Sequence, residues 1–111
     1  MSTITQALLV VPVQLTSADA MYYTTPLNTS AKIGRAVFYN TDTIPHAITV
    51  NITNTTSSLV NQFIFRVLAP KETYVSPELA GLVLPPAYMI RGLADLATVV
   101  NLVVSGTLTT G

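Results

Sequence analysis

The sequence contains no cysteine. Disulfide frameworks and thiolate metal sites are therefore excluded, and stability must come from a core or from partners. Charge is almost as scarce. Five basic and five acidic residues cancel, and charged residues make up 9% of the chain, against roughly 25% in an ordinary soluble domain. No basic patch is present to release counterions from nucleic acid. No polybasic stretch is present to hold an acidic membrane surface, and no apolar run approaches the ~20 residues that span a bilayer. The five glycines are isolated, so no glycine-rich loop cradles phosphate. Disorder is excluded as well, because half of the residues are apolar and the net charge is zero.

What remains is a chain of 111 residues, enough for one domain that buries about two-thirds of its unfolded surface. Its polar surface comes from neutral groups. Threonine supplies 17 residues, and serine and asparagine add to it. Hydroxyl and amide groups suit pleated, half-buried surfaces and subunit contacts that desolvate no charge. Near-zero net charge also weakens the self-repulsion that keeps proteins apart. The composition points to a subunit that works inside an assembly, with a neutral monomeric β domain as the alternative.

The periodicity is β almost throughout. His46 to Thr53 alternates strictly, with Ile48, Val50 and Ile52 on one face. Val100 to Ser105 repeats the pattern, with Val100, Leu102 and Val104 inward. Phe63, Phe65 and Val67 share a face in a third strand. Ala31 to Tyr39 forms a fourth, in which Gly34 beside Arg35 predicts a bulge or a close backbone approach. Shorter strands are expected over Ala20–Thr25, Thr73–Ser76 and Ala87–Leu93, and a strand or arm over residues 4–16, where Pro12 argues for an edge. Turns fall at Pro26 with Asn28, Asn40–Asp42, Asn54–Ser58, Pro70-Lys71 and Pro85-Pro86. Only Pro77–Gly81 and Leu93–Ala97 suit single helical turns. The expected fold is an all-β sandwich of about eight strands, with the jelly roll as one form of it. Ile48, Val50, Ile52, Phe63, Phe65, Val100, Leu102 and Val104 are its expected core.

Residues 1–18 carry no charge and form an extended N-terminal arm or edge strand; residues 19–111 form the sandwich. The apolar run Ala7 to Val13 lacks a positive flank and is interrupted by Pro12, so it does not read as a secretory signal. Two readings of the arm stand. It pairs within its own sheet, or it adds a strand to a neighbouring subunit, where backbone hydrogen bonds supply affinity. Leu8, Leu9, Val10 and Val11 are the expected interface residues.

The titratable residues are few: Asp19, Asp42, Glu72, Glu78, Asp95 and the single histidine, His46. No two acids lie at a motif spacing with a third partner, and no paired carboxylates are signalled. One histidine with scattered carboxylates makes a poor metal site. No strand-turn-helix around a serine supports a catalytic triad. Catalytic, cofactor and metal residues are therefore not assigned, and the chain reads as a non-enzyme. His46 reads as a strand-end histidine with a local hydrogen bond. Tyr22, Tyr23, Tyr39, Tyr74 and Tyr88 read as packing, since a stacking platform normally sits beside basic residues and Tyr22-Tyr23 has none nearby; a sugar- or receptor-binding platform is the alternative. The acceptor patterns at Asn28, Asn51 and Asn54 are expected by chance in so Asn- and Thr-rich a chain.

A resemblance adds to this reading. Tyr23-Thr24-Thr25-Pro26-Leu27-Asn28-Thr29-Ser30-Ala31 resembles a Y-T-x-P-x-N-T-x-A opening, and Asn40-Thr41-Asp42 an N-T-D turn. Leu68-Ala69-Pro70-Lys71-Glu72-Thr73 resembles an L-x-P-G-E-T turn, with Lys71 in place of glycine. Ile90–Ala94 and Val100–Gly106 resemble the closing strands. Over roughly residues 20–108 the chain is similar to the small all-β accessory structural proteins of tailed bacteriophages. The resemblance implies a virion protein assembled in the host cytoplasm, without catalysis or cofactor. Its partner would be the major capsid protein or another virion protein, and itself as a homo-oligomer, with a trimer as the symmetric guess. A head decoration or cement protein is the leading role; a neck, collar, tail or fibre subunit is the alternative.

Overall fold

Alternating burial builds nine strands: β1 (Thr3–Gln14), β2 (Ala20–Thr24), β3 (Thr29–Asn40), β4 (His46–Thr53), β5 (Gln62–Leu68), β6 (Thr73–Val75), β7 (Val83–Leu84), β8 (Met89–Ala94) and β9 (Val100–Thr110). The structure, a computed structural model, describes residues 3–54 and 62–110. No helix forms among the described residues. Every strand pairing is antiparallel. One sheet runs β1-β9-β3-β6, with β7 also on β3; the other runs β2-β8-β4-β5. The expected β-sandwich is the fold. β4 has the span expected from its alternation, β9 runs past Ser105 to Thr110, and the two-residue β7 has no periodicity to announce it.

The core lies between the sheets. Ala31, Ile33, Ala36 and Phe38 of β3 and Val100, Leu102 and Val104 of β9 face Ile48 and Val50 of β4 and Ile90 of β8. Two leucines outside the strands complete it, Leu15 after β1 and Leu79 in the β6–β7 connection, and both are fully buried. Ile52 is partly buried against this cluster.

One strand faces opposite to expectation. Phe65 is 63% exposed and Val67 57%, while Ile64 and Leu68 are buried. Val50 pairs with Ile64 and His46 with Leu68, so the inward series is Ile64, Arg66, Leu68. Arg66 fits there because β5 is a sheet edge. Its guanidinium reaches over the Tyr74 ring of β6, 4.1 Å from the centroid, an attraction between cation and ring quadrupole that also keeps the charge at the surface. The side chain of Phe63 and the expected turn from residue 55 onward lie outside the described residues.

Bulges bend the first sheet. The register of β3 against β9 shifts between Ile33 and Arg35, at Gly34, as the glycine predicts. A Cβ at the facing Gly106 would lie 2.1 Å from the Lys32 carbonyl oxygen, so this close approach requires glycine. In β1 the register shifts between Leu8 and Val10 and again between Val10 and Val13. The first shift lets two consecutive residues, Leu9 and Val10, turn inward. The second holds Pro12, whose missing N–H costs no ladder bond on this outermost strand.

The connections are tied by side chains. Asn40 is fully buried. Its amide donates to the carbonyls of Ile44 (2.9 Å) and Ala69 (3.1 Å), and its carbonyl oxygen accepts from the Asp42 N–H at 3.0 Å. One side chain thus fastens the β3–β4 turn to the β5–β6 turn. Lys71 in that second turn has φ 58°, the left-handed conformation in which the resemblance places glycine.

Candidate functional site

The catalytic candidates resolve first. His46 is buried at the start of β4, and its two ring nitrogens meet two carboxylates. Nδ1 lies 2.7 Å from Asp95 and Nε2 2.8 Å from Asp42. A neutral imidazole has one N–H, so only the imidazolium donates to both. The Asp42 hydrogen bond, with Asp95 adding to it, raises the His46 pKa above its ordinary value against the opposing effect of burial. The His46 and Thr43 contacts lower that of Asp42. With no free ring nitrogen, His46 cannot serve as a general base as it stands. The cluster is an end clamp joining the β3–β4 turn to the β8–β9 connection. Sequence reasoning anticipated a local hydrogen bond and missed Asp95, 49 residues away.

The other polar cluster is also structural. Asp19 bonds Arg91 through Nε at 2.8 Å and a terminal nitrogen at 2.6 Å, and accepts from the fully buried Asn51 at 3.4 Å. Among the described residues no cavity opens, and no three His, Asp or Glu side chains are placed to hold a metal ion. The tyrosines do not converge on one platform. Tyr74 is buried, Tyr22, Tyr23 and Tyr88 pack against the core, and Tyr39 lies on the outer face of the first sheet.

The notable surface is apolar. On the outer face of the first sheet Val37 of β3 pairs with Val103 of β9 on one side and Val75 of β6 on the other. Val11 sits in the β1 bulge opposite Val103. Four valines therefore cross the sheet in one row, from Val11, 63% exposed, to Val75, 44% exposed. The next row is Leu8–Ser105–Arg35, and on the other side Asn101–Tyr39–Thr73. On the outer face of the second sheet the exposed Phe65 stands in the row Phe65–Thr49–Leu93, in which Thr49 is buried and Leu93 half-buried. An antiparallel sheet facing water normally shows polar residues outward. Contiguous exposed apolar rows mark interaction surfaces.

The four residues expected at the interface divide. Leu9 and Val10 are buried in the chain's own core, whereas Leu8 and Val11 are exposed on this outer face. β1 itself pairs with β9 of its own chain over most of its length, and among the described residues no strand pairs with its other edge.

No family model matches the chain, and no curated protein matches its sequence. The fold is known from solved structures. A chain from Bacillus endospore appendages, described as forming a novel family of disulfide-linked pili, aligns with a TM-score of 0.56 and 11% identity over 99% of this chain and 89% of that one. The Gx strain of infectious bursal disease virus aligns with a TM-score of 0.49 and 12% identity, over 98% of this chain and 32% of the viral chain. The VP2 subviral particle of the same virus aligns with a TM-score of 0.46 and 15% identity, over 97% and 32%. At 11% identity the likeness to the appendage chain is one of fold.

Proposed function

We propose that this chain is a non-enzymatic structural subunit of a virion, a decoration or cement protein that binds the assembled head. The observation that carries the reading is the outer valine row, Val11–Val103–Val37–Val75, on a sheet that would otherwise face water. A neutral, sparsely charged surface supports it, as does the strand order, which we read as that of a jelly roll. Leu8 and Val11 are the contact residues contributed by the N-terminal segment; Leu9 and Val10 anchor that segment to the core. A protein that binds only the assembled shell stabilises it by mass action, and repetition on a symmetric lattice multiplies weak contacts through avidity.

The test is copy number per purified particle, by quantitative mass spectrometry against the major capsid protein. Hundreds of copies support head decoration. A few to a few tens move the chain to a neck, collar, tail or fibre. Absence from particles overturns the reading.

A second reading is a filament subunit, favoured by the near full-length fold likeness to the endospore appendage chain. Without cysteine, such a filament would be held without disulfides through the residues of this sequence. Electron microscopy of the purified chain separates the two, since filaments formed by the chain alone support only this second reading.

A further inference from the structure

We propose that the outer face of the first sheet docks onto a different protein, at an apolar patch flanked by carboxylates. The inference rests on the virion reading and names the partner's chemistry. The strands of this sheet hold only two charged residues, Lys32 and Arg35, both cations on β3 and both exposed. Arg35 lies in the row beside the four valines, and Lys32 stands opposite Thr107 of β9 and Val83 of β7. Both cations thus flank the same side of the valine row.

Elsewhere the charges are engaged. Asp19 holds Arg91, and Asp42 and Asp95 hold His46. Glu72 accepts from the Ala69 N–H, and Glu78 from Tyr74 and Ser76. Arg66 lies on the Tyr74 ring and Lys71 donates to the Thr41 carbonyl. Among the charged side chains of the described residues, only Lys32 and Arg35 have no hydrogen bond, ion pair or ring contact within the chain.

This imbalance selects the occupant. A second copy docking through the same face would bring cations to a face that offers no carboxylate, and like charges across an interface oppose association. Nucleic acid is a poor fit, because two cations release few counterions and the valine row would lie against phosphate. A heterologous protein with acidic groups beside an apolar patch satisfies both features. Apolar contact supplies the core of the interface, and the cations set register and partner choice.

The experiment uses the full chain and purified virion shells stripped of it. Binding is measured for wild type, for K32E/R35E and for V37T/V75T, with unfolding curves to show that each variant is folded. K32Q/R35Q replaces the charge-reversed pair if that pair unfolds. The expected result is wild-type binding that weakens about tenfold or more in each double variant, together with zero-length cross-linking of Lys32 to an Asp or Glu of a shell protein. Wild-type binding that both double variants retain overturns the surface and leaves the virion reading standing. No binding by wild type overturns the virion reading and this inference with it. A dimer of the chain alone that dissociates in the same variants makes a second copy the occupant and overturns the heterologous assignment.

Discussion

Nδ1 of His46 lies 2.7 Å from Oδ1 of Asp95, and the opposite nitrogen lies 2.8 Å from Asp42. Two carboxylates therefore hold one imidazolium at the end of the sandwich. Both acids are partly exposed, so solvent screens the pairs and their energy is modest. The sign of the pH dependence is nevertheless fixed. The His46 pKa is raised in the folded state, so its contribution is complete below about pH 6.5 and disappears as pH rises through the folded value. The Asp42 pKa is lowered, so its contribution is present above about pH 4 and disappears as pH falls. The denaturant midpoint of wild type should decline from about pH 6 to pH 9, and that of His46→Gln should be flatter there. A wild-type midpoint that is constant or rising over this range would contradict the double clamp.

Gly106 and the bulge at Gly34 make a sharper prediction. In Gly106→Ala the new methyl would sit 2.1 Å from the Lys32 carbonyl oxygen. Backbone cannot rotate aside as a side chain can, so β3 and β9 must separate locally. The expected loss is roughly 3 kcal/mol, measured by urea unfolding. A loss below about 1 kcal/mol would mean that the strands do not approach as described.

Thr98 runs in the other direction. It adopts φ 64° in the β8–β9 connection, a conformation that crowds a β-branched side chain. Its hydroxyl only reaches the neighbouring Ala97 carbonyl. Thr98→Gly removes the strain at some cost in unfolded-state entropy, for an expected net gain of about 0.5 to 1 kcal/mol. Thermal unfolding reads it as a raised Tm; a lowered Tm would place the strain elsewhere.

How much of this was legible in the sequence depended on how local the determinants were. β4 alternates without interruption, and its span and inward face follow directly. The bulge at Gly34 and the edge position of Pro12 follow from single residues with one conformational meaning. The His46 clamp was not legible, because Asp95 reaches it only through the pairing of β4 with β8. Nor was the valine row, since it assembles one residue from each of four strands. Lys71 occupies a left-handed turn position with a side chain that gives no hint of it. β5 misled for a different reason. Phe63, Phe65 and Val67 make the more apolar series, while the true inward series contains Arg66. An arginine at a sheet edge escapes to the rim over Tyr74, so the charge that argued against that face carried little penalty.

The orientation of β5 can be tested directly. Ile64 is buried and Phe65 is exposed on adjacent positions of one strand. Ile64→Ala should cost roughly 2 to 4 kcal/mol, through lost burial and a residual cavity. Phe65→Thr keeps a strand-forming residue on the outer face and should change stability by less than about 1 kcal/mol. Equilibrium urea unfolding of the two variants gives the comparison. If the Phe65 variant lost more than the Ile64 variant, the strand would be paired one residue out of register, since a one-residue slip exchanges its two faces. In an assembly that covers the second sheet, Phe65→Thr should weaken association while leaving the isolated chain folded. That combination separates an exposed contact residue from a core residue.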